Sequence, residues 1–143
     1  MPRPPQRTQD FSSSYGPDPA SIHDARRDFS RWLDASVKDE DILDEMLVVL
    51  SELMANAIDA SEHPAGDVTV QARVDADGLT LKVTNPPAST FAAVNRWDYD
   101  DPLRAGGRGL LIVESLVDDI AIAPPNGPEP LSVRCRRELP ESP

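Results

Sequence analysis

The chain has 143 residues, with 14 basic against 25 acidic side chains and a formal charge of −11. That is enough chain for one domain. The acid excess argues against a nucleic-acid partner, which needs a basic stripe, and favours a basic protein partner. The longest unbroken apolar run, Met46 to Leu50, is too short to cross a bilayer, and no apolar segment follows Met1. A lone Cys135 cannot form an intramolecular disulfide and sits in a period-2 run, as a small sheet-facing hydrophobe would. A soluble, unprocessed cytoplasmic protein without a membrane partner is expected.

The prolines are segregated: five precede Ala20, none lies between Ala20 and His63, and none between Leu103 and Ala123, which leaves two stretches free to be helical. Residues 1–16, rich in Pro and Ser, read as a flexible arm, although Phe11 to Tyr15 can pair as an edge strand. A first helix is predicted from Pro19 to about Ala35, with Ser21 and Asp24 as a capping pair and Ile22, Ala25, Phe29, Trp32 and Leu33 at helical spacing. A second runs from about Asp39 to Ser61 on the apolar face Leu43, Met46, Leu47, Leu50, Leu53, Met54 and Ala57, and stops at His63, Pro64 and Gly66.

Val68, Val70, Ala72 and Val74 alternate with polar residues, as do Leu79, Leu81 and Val83, so a β-hairpin is predicted with its turn at Asp77-Gly78. Asn85-Pro86-Pro87 ends it, and a long polar connection leads to Gly106-Gly107-Arg108-Gly109. A short helix, strand Ile120 to Ala123, a Pro124 to Pro130 turn and strand Leu131 to Leu139 complete the pattern. Helices and strands do not alternate as βαβ units. The fold class is therefore α+β, a sandwich with a mainly antiparallel sheet, with the domain over residues 17–139 and a tail over 140–143.

Three elements can carry chemistry. Glu52, Asn56 and Asp59 fall in one stripe of the second helix, expected opposite its apolar face. A carboxylate can take a proton from an attacking oxygen, and an amide oxygen one turn away can complete the shell of Mg²⁺. Gly106, Gly107 and Gly109 before an apolar helix let backbone N–H groups approach an anion. Asn85 at a strand end offers both an acceptor and a donor to a purine edge. Taken singly, Glu52 reads more readily as part of a solvated helix face and Asn85 as a turn-forming Asn-Pro, while the glycines are as readily a flexible turn as a phosphate cradle. The glycines form neither a Walker A loop nor a dinucleotide fingerprint. His23 and His63 are too far apart in sequence to suggest a metal site.

In order, Glu52-Leu-Met-Ala-Asn56-Ala-Ile-Asp59, then Asn85-Pro86, then Gly106-Gly107-Arg108-Gly109-Leu110, the sequence resembles the GHKL ATPase superfamily. Its short length, the Pro19-Ala-Ser21 opening, Ala25-Arg26-Arg27 and the GGRGL string are similar to the anti-sigma-factor serine kinases. The resemblance implies a Bergerat-type ATP-binding fold, a two-layer sandwich with helices on one face, and ATP and Mg²⁺ as cofactors. It implies Glu52 as general base, Asn56 as Mg²⁺ ligand and Asp59 as support for the water shell. Asn85 would stand at the adenine-recognising position, and Gly106, Gly107 and Gly109 would line the phosphates. Arg108 and Leu110 would belong to the same cofactor-binding string, with Leu110 starting the following helix, and Ser132 would be a hydroxyl near the adenine.

Residues between Pro87 and Ala105 would form the ATP lid, where Trp97, Tyr99 and the neighbouring aspartates are either a recognition patch or a solvated loop. A sigma factor and an anti-anti-sigma (STAS-type) protein are the implied partners, and a homodimer is a family-level expectation. Three departures stand out: Asn85 replaces an aspartate, Pro86-Pro87 follow it, and the late histidine of the helix motif is absent at Ala60 and Ser61. Exchanging a charged acceptor for a neutral one weakens a buried hydrogen bond by about 1 kcal/mol.

Overall fold

A computed structural model describes residues 8–59, 66–85, 108–123 and 130–140. The elements are β1 (Gln9–Tyr15), α1 (Ala20–Ser36), α2 (Glu40–Asp59), β2 (Val68–Asp75), β3 (Gly78–Thr84), α3 (Arg108–Leu116), β4 (Asp119–Ala123) and β5 (Ser132–Arg137). The strands form one antiparallel sheet in the order β1-β2-β3-β5-β4. Period-2 alternation divides each strand between two faces. Val68, Val70, Leu79, Leu81, Val83, Val133 and Cys135 are buried, while Gln71, Arg73, Arg134 and Arg136 on the opposite face are exposed. The α+β class is thus borne out, and the helices cover the apolar face.

Of the two readings of the N-terminal segment, the edge strand holds: residues 9–15 form β1 at the edge of the sheet. Phe11 and Tyr15 turn toward the helices as β1 pairs with β2, so burial outweighs the Ser-rich composition. Phe11 meets Phe29 and Trp32 with ring centroids 5.9 and 5.6 Å away, and the Tyr15 hydroxyl donates to Asp28 Oδ2 at 2.9 Å. Burial pushes the Tyr15 phenol above its ordinary range, and Asp28 adds to the shift.

Two turn details differ from expectation. Ser21 lies inside α1 and does not cap it; Asp18 Oδ1 accepts from the Ala20 N–H at 3.0 Å, because a carboxylate two residues before the helix reaches its free donors. The hairpin turn is Ala76-Asp77, one residue earlier than predicted. Asp75 Oδ1 accepts from the Asp77 and Gly78 N–H groups at 2.8 and 3.2 Å, and Gly78 opens β3 with φ +138°. The start of α2 agrees: Asp39 Oδ1 accepts from the Asp41 and Ile42 N–H groups at 2.9 and 3.3 Å.

Candidate functional site

The central helix α2 packs on β2 and β3 and is flanked by α1 and α3. On one flank, Arg26 Nη1 of α1 donates to Ser51 Oγ at 2.6 Å and to the Leu47 carbonyl at 3.3 Å. On the other, Arg137 Nη1 of β5 lies 2.7 Å from Glu45 Oε2 and also donates to the Leu116 carbonyl at the end of α3. Glu45 is seven residues before Glu52, so the two share a stripe with Asn56 on the flank that faces α3.

The expectation that this stripe lies opposite the apolar face is therefore corrected. Glu52 and Asn56 are half-buried beside the core residues Val49 and Leu53. A helical wheel fixes the angle between the stripe and the apolar face but carries no information about a second helix that covers the flank.

Arg137 also fixes the ends. It is the last residue of β5, and α2 stays buried through Met46, Leu50, Leu53 and Ala57, so α2 must continue from Glu45 over the sheet toward the start of β5. From Arg137 back to Ser132 is about 17 Å of strand at roughly 3.3 Å per residue, a span that α2 covers in about eleven residues at 1.5 Å each. Counted from Glu45, that reaches Asn56. The register pairs Ser132 with Thr84, and the Asn85 N–H donates to the Leu131 carbonyl at 2.8 Å. Leu116, at the end of α3, is held beside Arg137 and Glu45, and α3 packs against α2. Glu52 and Asn56 thus share one stripe of α2 on the flank packed against α3, and Asn85 lies at the end of β3 beside the start of β5.

Asn85 is 9% exposed and continues the inward alternation of Leu81 and Val83 toward the helices. Ser132, 8% exposed, alternates with Val133 and Cys135 and so shares a side with Thr84 and Arg134 rather than with Asn85. Asp59 closes α2, and Arg108, Gly109 and Leu110 form the first turn of α3; only their backbone is described. Gly106 and Gly107, together with the expected lid from Pro87 to Ala105, fall outside the described residues.

Asn56 holds the most informative atom of the site. Its Nδ2 is buried without a hydrogen-bond partner among the described residues, and a buried unpaired donor is costly unless something else uses it. A half-turn of the amide exchanges nitrogen and oxygen, which sets a carbonyl acceptor at the same position. The donor set of an amide beside the half-buried Glu52 carboxylate fits an oxygen-seeking cation that keeps much of its water shell, as Mg²⁺ does. Among the described residues no cluster of three His, Cys, Asp or Glu side chains could hold a metal by itself, and none of their helices is long and apolar enough to cross a membrane.

The motifs missed Glu45 and Arg137. The signal was present: Glu45 repeats the Glu52 stripe two turns earlier, and Arg137 continues the inward series Val133, Cys135. No curated protein matches the chain. The family model of the histidine kinase-like ATPase domain matches residues 16–134, which span α1, α2, the hairpin, α3, β4 and the first half of β5, and with the α2 stripe and the buried strand-end Asn85 in place the chain belongs to that ATP-binding family.

Proposed function

We propose that the protein is a MgATP-dependent serine/threonine protein kinase of the anti-sigma type, which regulates transcription by phosphorylating one partner and sequestering another. The observation that carries this reading is the Asn56 Nδ2, buried and without a hydrogen-bond partner among the described residues, one helical turn from the half-buried Glu52. Asn56 is suited to hold Mg²⁺, which supplies charge neutralisation at the phosphates when bound. Glu52 accepts the proton of the partner's hydroxyl as its oxygen bonds to the γ-phosphorus and the bond to the ADP oxygen breaks. Asn85 accepts from the adenine amino group, and the N–H groups of Gly106, Gly107 and Gly109 with the α3 terminus take phosphate charge. The substrate class is a small anti-anti-sigma (STAS-type) protein, and the sequestered partner is a sigma factor.

A second reading is a nucleotide-binding switch that transfers nothing, and the neutral Asn85 favours it by loosening the demand on purine geometry. Calorimetry with MgATP, followed by labelled-ATP transfer to a candidate partner, separates the two. Asn56→Ala is expected to weaken MgATP binding at least tenfold, and Glu52→Gln to retain binding while abolishing transfer. Equal labelling by wild type and Glu52→Gln removes the catalytic assignment; binding without transfer in the wild type leaves the switch.

A further inference from the structure

The sheet face turned away from the helices carries its charges in cross-strand pairs. Asp10 lies opposite Arg73, and Asp119 opposite Arg136. Arg73 Nε is 2.7 Å from Asp10 Oδ1, and Arg136 Nη2 donates to the Asp77 carbonyl at 2.7 Å. Between these matched pairs Lys82 lies directly opposite Arg134, two like charges in a position that ordinarily takes opposite or neutral partners. Neither forms an ion pair among the described residues. Their lateral neighbours in the register, Gln71 on β2 and Ala121 on β4, are uncharged.

The centre of this face is thus a local cationic strip on a chain of charge −11. Thr80 and Thr84 on β3 and Gln71 on β2 border it with neutral hydrogen-bonding groups. We propose that the strip docks an acidic segment of a partner protein, whose carboxylates sit over Lys82 and Arg134. A short carboxylate-bearing strip matches the width of two adjacent strands, and it relieves a repulsion that the isolated fold carries. The net charge repels an extended polyanion such as duplex DNA or an anionic bilayer. A symmetric face-to-face dimer brings Lys82 and Arg134 of both copies together, which the same repulsion opposes. The inference is independent of the nucleotide site.

The test uses the full chain and a short labelled peptide of alternating Glu and Gly, read by fluorescence anisotropy at low and physiological salt. The wild type is expected to bind in a salt-sensitive manner. The double variant Lys82→Gln/Arg134→Gln is expected to bind about fivefold more weakly, with a denaturation midpoint equal to or above that of the wild type. That midpoint shows that the variant is folded and reports the relieved repulsion. Absence of peptide binding, equal binding by the double variant, tighter binding to phosphatidylglycerol vesicles or an oligonucleotide, or self-association that the double variant abolishes each overturns the proposal.

Discussion

Asn56 and Cys135 show two ways in which a side chain is set apart from its surroundings. Asn56 is a poor residue for a helix interior, and its amide nitrogen is buried without a partner among the described residues, so the fold described does not by itself account for its identity. Cys135 is the reverse case, a polarisable group wholly absorbed by packing. Burial pushes its thiol up to about 12 from an ordinary value of 9.0. Above pH 9 the unfolded chain loses this proton while the fold keeps it. The associated stability is complete below pH 9 and is lost as pH rises toward 12, at up to about 1.4 kcal/mol per pH unit. Urea midpoints between pH 8 and 11 are expected to fall less steeply for Cys135→Val than for the wild type; parallel slopes would show that the thiol is not the buried acid. Tyr15 acts in the same direction in both proteins, since its phenol is raised as well.

At the scale of elements, the tightest approach is where β3 begins. A Cβ on Gly78 would lie 2.5 Å from the Arg137 carbonyl oxygen, and the φ of +138° is one that L side chains rarely adopt. Gly78→Ala is expected to lower unfolding free energy by about 2–3 kcal/mol in denaturant titrations, and an unchanged midpoint would contradict this packing. The Asp77-Gly78 pair was legible as a turn, but the one-residue shift was not, because the Asp75 side chain closes the turn and no local propensity expresses that. Helix and strand periods revealed α1, α2 and both hairpin strands, since one face of each is apolar. They did not reveal that α3 covers the Glu52 stripe, or that alternation turns Ser132 away from Asn85, because both depend on which elements become neighbours.

For the whole molecule, the Ser-rich β1 was legible as a candidate edge strand from Phe11 to Tyr15, but the strand it pairs with was not. It shields the β2 edge and holds Phe11 against Phe29 and Trp32. Removal of residues 1–16 is expected to lower the thermal midpoint and to produce concentration-dependent association by size exclusion, because β2 becomes an open edge. A monomer with an unchanged midpoint would instead mark the segment as dispensable. The strand order β1-β2-β3-β5-β4 has a temporal consequence. The strand latest in the chain is an interior one, inserted between two that precede it. While the polypeptide is being made, β3 and β4 have no shared neighbour until β5 has left the ribosome, and the Arg137 clamp on Glu45 and Leu116 arrives last of all. A nascent chain halted after β4 is therefore a client for chaperones rather than a nearly finished domain.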